Sequence, residues 1–243
     1  MRHPQSHVID ADWAGRFGCS PDLLEVPGVH LVFSEEADPS RIAVLELSES
    51  TILRAAEKHA DVLTAWSNNR QADDPRTAEA VSQAFPDDQW NLSPSEKVLY
   101  LNPDEFRPDP KPGVRQLTEE DSGDLTEMHR GCTWEEQKSG EVNIDHPAIF
   151  GAYAAGRLVA AASFIDQDDR ISDVGVLVHA GFRQKGYGRA AVSALCEWGL
   201  GNGRIVQYWR LCQNTASARI ADSLGFNEYG RFQVLYQNVT PFV

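Results

Sequence analysis

The run LVHAGFRQKGYGRAA, Leu177 to Ala191, brings Arg183, Lys185 and Arg189 together with Gly181, Gly186 and Gly188, between an apolar strand-like stretch and a helical one. Glycine lets successive backbone N–H groups of a loop converge on one point, and the helix behind it adds unpaired N–H groups and a partial positive charge. Such a segment suits an anion, and each charge-assisted bond to a phosphate is worth about 1.5–3 kcal/mol. A second polar feature, Asn214 with Ser217 ahead of Leu224, Gly225 and Phe226, reads as a helix opened by an Asn cap and closed by Gly.

Two phosphate-binding patterns fit the first segment poorly. Gly181 and Gly186 have the G-x-x-x-x-G spacing, but Tyr187 and Gly188 stand where a P-loop needs Lys and then Ser or Thr. Gly186, Gly188 and Ala191 fit a relaxed dinucleotide pattern, yet the preceding strand ends several residues too early and no acidic residue closes the next strand.

The rest of the chain must position these residues. With 243 residues, 42% hydrophobic and 24% charged, the chain is long enough and apolar enough to fold as one large or two small globular domains. Lys and Arg number 22 against 36 Asp and Glu, a net charge of -14 that would repel a phosphate backbone at long range. General nucleic-acid binding is therefore not expected, and an anionic ligand needs a local cluster of donors. Cys19, Cys132, Cys196 and Cys212 are scattered with no Cys-x-x-Cys, which points to reduced thiols, a cytoplasmic location and no metal site. No secretory leader is read at the N-terminus, and no membrane span is expected because Gly156 and Arg157 interrupt the longest apolar stretch.

Periodicity predicts strands at Val29–Phe33 and Ile42–Leu47, a long helix over Thr51–Trp66 capped by Ser50, a helix near Pro75–Ala84, a turn at Phe85 and Pro86, and a strand at Val98–Leu101. The proline-rich NPDEFRPDPKPG, Asn102 to Gly113, is the expected boundary between an N-terminal α/β domain over 1–105 and a second domain over 106–243. Beyond it come a strand at Val114–Leu117, a helix started by Thr118 to Asp121 and reaching Arg130, and a helix at Thr133–Lys138. An antiparallel meander is expected over Ala148–Ala154, Arg157–Ile165 and Ile171–Val178, with turns at Ala155-Gly156 and Asp166–Arg170. A helix at Gly188–Leu200, a strand at Ile205–Leu211, a helix at Thr215–Leu224 and two strands, Phe226–Glu228 and Phe232–Gln237, complete the pattern.

The run Arg183, Gln184, Lys185, Gly186, Tyr187, Gly188 after Val176 and Val178 resembles the acetyl-CoA loop, Q/R-x-x-G-x-G/A, of the GNAT acyltransferase superfamily. Asn214, Ser217 and Leu224-Gly225-Phe226 resemble that family's second motif, and the order of elements from about Gly113 to Gln237 agrees, so the likeness covers roughly half the chain. It implies a mixed α/β (α+β) fold of GNAT type, a mainly antiparallel central sheet flanked by helices, here with an additional N-terminal α/β domain. The implied activity is transfer of an acetyl group from acetyl-CoA to a primary amine of a small molecule or protein, by direct attack in a ternary complex. The alternative is a non-catalytic acyl-CoA-binding sensor or scaffold.

Residue by residue, the resemblance implies that the strands Ile171–Val178 and Ile205–Leu211 splay apart and that Leu177, Val178 and His179 pair with the pantetheine amides as an added strand would. Backbone N–H groups of Arg183, Gln184, Lys185, Gly186, Tyr187 and Gly188 would hold the pyrophosphate, with a side-chain contact from Arg189. An N–H near Val178 would serve the oxyanion. Many members carry a proton-donating Tyr seven residues after the motif Asn; here Ala221 stands there, and Ser217 is the candidate donor beside Asn214, ahead of Tyr229 and Tyr236. Candidate bases are Glu135, Glu136 and Asp173, and Trp134 is a candidate for the acceptor pocket. His146 reads as a turn residue. The N-terminal segment lacks the loop; it is expected to be a degenerate second copy of the fold, a cover for the acceptor cleft or a homodimer face.

Overall fold

A computed structural model describes residues 2–71, 74–86, 90–166 and 170–237, and in it the chain divides into two compact units. The first is Met1–Val98 with Leu211–Gln213 and Tyr229–Val243; the second is Leu99–Arg210 with Asn214–Glu228. The division falls a few residues before the 105/106 expected from the prolines, and the end of the chain returns to the first unit.

In the first unit, α1 (Ser6–Phe17) buries Ile9, Trp13 and Phe17, and Trp13 stacks on Tyr229 with ring centres 6.1 Å apart. Strands β1 (Gly28–Ser34), β2 (Arg41–Glu46) and β3 (Ser50–Ala56) follow, then the helices α2 (Ala60–Asn68) and α3 (Ala78–Ser82) and the short strand β4 (Trp90–Leu92). The long helix expected over Thr51–Trp66 is not formed. Its first half is β3, parallel to β1 and antiparallel to β2, and only its second half is helical. A strand enclosed on both edges and buried on both faces carries apolar residues without alternation, so its pattern cannot be told from that of a buried helix. Ser50 caps nothing; its hydroxyl donates to the Leu24 carbonyl at 2.6 Å.

Strand β5 (Glu96–Leu101) carries the chain into the second unit, where β6 (Val114–Gln116) precedes α4 (Ser122–Arg130) and α5 (Trp134–Gly140). Thr118 with Asp121 forms a capping box on the 3-10 turn Glu119–Asp121 that leads into α4, and Thr133 with Glu136 forms the one that starts α5. The meander β7 (Ile149–Ala154), β8 (Arg157–Asp166) and β9 (Ile171–Val178) is antiparallel as expected, and Ala155 and Gly156, with φ of 49° and 76°, make its first turn left-handed. Part of the second turn, residues 167–169, lies outside the described residues. Helix α6 (Tyr187–Gly201), strand β10 (Ile205–Leu211), helix α7 (Thr215–Leu224) and strand β11 (Phe226–Gln237) follow. Where two final strands were expected there is one, and from Arg231 onward it pairs with β2 of the first unit.

The sheet of the second unit runs β10-β9-β8-β7-β6. Val174, Val176 and Val178 of β9 face α6 and α7 through Ala191, Leu195, Ala221 and Leu224. Leu158, Ala161 and Leu177 face α4 through Leu125 and Met128. Among the described residues no helix is long and apolar enough to cross a membrane.

Candidate active site

Strand β9 ends at Val178, and the chain turns at once: His179 Nδ1 accepts the Gly181 N–H at 3.2 Å, and the Arg183 N–H closes the turn on the Ala180 carbonyl at 3.5 Å. The next residues behave differently. Gln184 and Gly186 have φ of 61° and 80°, and among the described residues no backbone N–H from Gln184 to Arg189 donates to a protein acceptor. Two left-handed residues within three positions turn successive N–H groups the same way, the arrangement called a nest, and the start of α6 extends it. Gly188 is required for space: a Cβ there would lie 2.7 Å from Val178 Cγ2, so only glycine lets the first turn of α6 rest on β9.

Strands β9 and β10 separate. They pair in parallel only from Ile171–Asp173 against Ile205–Gln207, although each runs several residues further. Where the ladder stops, Asp173 Oδ1 accepts the Trp209 N–H at 3.0 Å, a side chain standing in for the missing strand carbonyl. Val174 to Val178 keep β8 on one edge and have no registered partner in β10 on the other. Two backbone groups expected to meet a ligand are engaged by the protein: the His179 N–H donates to Val159 O at 2.9 Å, and the Val178 carbonyl accepts Arg183 Nε at 3.3 Å. Leu177 buries its side chain under α4.

The helix after β10 opens as its sequence predicts. Asn214 Oδ1 accepts the Ser217 N–H at 3.0 Å. Ser217 Oγ in turn donates to the Tyr208 hydroxyl at 3.0 Å. Tyr208 is 1% exposed, lies edge-on to Phe226, and its phenol is pushed well above its ordinary pKa by burial. Ala221 belongs to the same buried cluster. Sequence reasoning passed over Tyr208; the available signal was a phenol inside an apolar strand, which needs a hydroxyl partner when buried.

The three carboxylates have unequal surroundings. Glu136 Oε2 accepts the Thr133 N–H at 2.9 Å and Arg183 Nη2 at 2.7 Å; the arginine first, then the amide, hold it below the usual carboxylate range. It ties α5 to the loop and is a weak base. Glu135 is fully exposed in the first turn of α5, and its pKa is lowered by its own backbone amide and the Thr133 hydroxyl. Asp173 stands at the head of the strand split. Nearby, Gly140 and Gly175 bring the end of α5 onto β9, since a Cβ on Gly175 would lie 2.4 Å from the Gly140 carbonyl.

Other expected residues serve elsewhere. Tyr229 and Tyr236 belong to the first unit, where the Tyr229 hydroxyl donates to Asp10 Oδ1 at 2.9 Å. Trp134 is 67% exposed with Lys138 Nζ 5.2 Å from its ring centre. His146 Nδ1 lies 2.8 Å from Ser163 Oγ, and burial lowers its pKa. Lys185 Nζ donates to Gly181 O at 3.1 Å, and Arg189 is held by Asp109 of the proline-rich segment Asn102 to Gly113.

Residues 114–226 match the model of the acetyltransferase (GNAT) family. Comparison with curated proteins returns no match. Among solved structures, the chain is similar to an acetyltransferase from the GNAT family of Colwellia psychrerythraea, 14% identical over 77% of this chain and 76% of that one, with a TM-score of 0.53. It is also similar to a conserved protein of unknown function from Staphylococcus epidermidis, 14% identical over 85% of this chain and 96% of that one, with a TM-score of 0.50. At such identities the likeness shows the fold alone. The nest, the split strands and the Asn-capped helix all lie inside residues 114–226, the part of the chain that matches the GNAT acetyltransferase family model.

Proposed function

We propose that the protein transfers an acetyl group from acetyl-CoA to a primary amine by direct attack within a ternary complex. The observation that carries this reading is the run of backbone N–H groups from Gln184 to Arg189 with no protein acceptor, at the start of a helix and beside strands that part. These groups suit a diphosphate. The unpaired edge of β9 suits the amides of a pantetheine arm, because an amide chain can supply the bonds of an absent strand. Acetyl-CoA supplies an acyl group activated as a thioester.

The residues around the split divide the proton work. Asp173, on the face opposite α6 and α7, is the proposed base that takes a proton from the amine. Ser217 and Tyr208, on the α7 side, are the proposed hydroxyl pair that stabilises the departing thiolate, in place of a tyrosine at Ala221. Base and acid on opposite faces of the split leave the space between them for a direct encounter of amine and thioester, so no cysteine is needed as a nucleophile.

The test is a thiol-release assay with acetyl-CoA and a broad panel of primary amines, from polyamines to peptide N-termini. Release with at least one class is expected. Confirmed binding of acetyl-CoA with no release across the panel would replace the enzyme by an acyl-CoA-binding module.

A further inference from the structure

Two of the loop's cations are already neutralised. Arg183 is paired with Glu136 at 2.7 Å, and Arg189 with Asp109 through bonds of 2.6 and 2.7 Å. Asp109 is itself fixed on α6, its N–H donating to Ser193 Oγ at 2.7 Å. It belongs to the strap Arg107–Gly113, in which Pro108, Pro110 and Pro112 alternate with other residues, and which precedes the residues matched by the family model. Proline fixes its own φ and keeps the residue before it extended, so this strap loses little freedom on folding.

The strap delivers Lys111 to the nest. Lys111 Nζ donates to the Lys185 carbonyl at 2.9 Å and lies 5.5 Å from the centre of the Tyr187 ring. A Cβ on Gly186 would come within 2.5 Å of this nitrogen, so the ammonium stands over the glycine at the middle of the unpaired amides. Among the described residues no carboxylate oxygen lies within 4.0 Å of it. An ammonium with three donors, satisfied on the protein side by one carbonyl, has capacity for an anion.

We propose that Lys111 is a ligand of the nucleotide diphosphate, so that the strap before the family domain completes the anion site while Arg183 and Arg189 act as clamps. This rests on the reading of the Gln184–Arg189 amides given above. The experiment is calorimetric titration of the full-length wild type, Lys111→Met and Lys111→Arg with CoA and with 3′-dephospho-CoA, together with thermal melting of each ligand-free protein. Lys111→Met is expected to weaken both ligands equally, roughly 10- to 100-fold, as for loss of one charge-assisted bond. Lys111→Arg should recover most of the loss, with ligand-free melting unchanged. Unaltered affinity in Lys111→Met, against a wild type that binds CoA, overturns this inference and leaves the loop assignment standing; a wild type that binds neither ligand overturns both. A loss confined to CoA would move Lys111 to the 3′-phosphate and overturn the diphosphate assignment. A loss that arginine does not recover overturns it as well.

Discussion

The hydroxyls of Ser217 and Tyr208 lie 3.0 Å apart, joining the first turn of α7 to the buried middle of β10. Ser217→Ala breaks this link without touching the Asn214 cap, which engages the Ser217 backbone. Turnover is expected to fall roughly 10- to 100-fold while KM for acetyl-CoA changes less than about threefold. Tyr208→Phe should fall in the same direction, and the double variant should be no slower than the slower single one, because coupled groups do not add. Steady-state kinetics decide; equal losses in binding and turnover would remove Ser217 from the proton path.

Asp173→Asn keeps an oxygen for the Trp209 amide while removing the proposed base. Turnover should drop by about two orders of magnitude, and the decline of kcat/KM on the acid side of the pH profile should disappear. A variant with a wild-type profile would move the base to Glu135, the exposed carboxylate of α5.

Gly186 holds a φ of 80°, which a β-branched side chain adopts only at a cost of about 1–2 kcal/mol. Gly186→Val should retain the fold, with a melting midpoint a few degrees lower, and lose CoA binding by at least about 100-fold as the nest deforms. Calorimetry and circular dichroism together separate the two effects. Folded protein with intact affinity would show that the loop does not grip the ligand.

Acid stability has a source that can be located. Both Asp121 oxygens accept Arg115 nitrogens, at 2.6 and 2.8 Å, and the Thr118 N–H adds a bond of 2.9 Å. The arginine first, then the amide, hold the Asp121 carboxyl far below its ordinary range. A depressed folded pKa means that the unfolded chain binds the proton first as pH falls, so the stabilisation is complete above the unfolded value, about 3.9, and is lost below it. Asp121→Asn should cost about 1–3 kcal/mol at pH 7, and the gap to wild type should narrow below about pH 4. A gap that stays constant down to pH 2 would assign the loss to packing.

What could be read from the residues alone was whatever depends on neighbours in sequence. The Ala155-Gly156 hairpin, the capped start at Thr118 and the Asn214 cap are local events, and the structure has all of them. What could not be read depends on distant partners. Strand β3 has the apolar run of a helix because β1 and β2 enclose both its edges and both its faces are buried, which erases the alternation. The Ser217–Tyr208 link needs the register of two elements, and the seating of Lys111 on the loop and of Asp109 on α6 requires a strap to pair with residues some eighty positions further along the chain.

The most direct test is assignment of the backbone amide resonances of Gln184 to Arg189 and their titration with CoA. Direct amide–diphosphate bonds predict that these signals move downfield together, saturating at the affinity measured by calorimetry, and that Gly186→Val abolishes the movement. Saturable binding of CoA that leaves all of them in place would contradict the account.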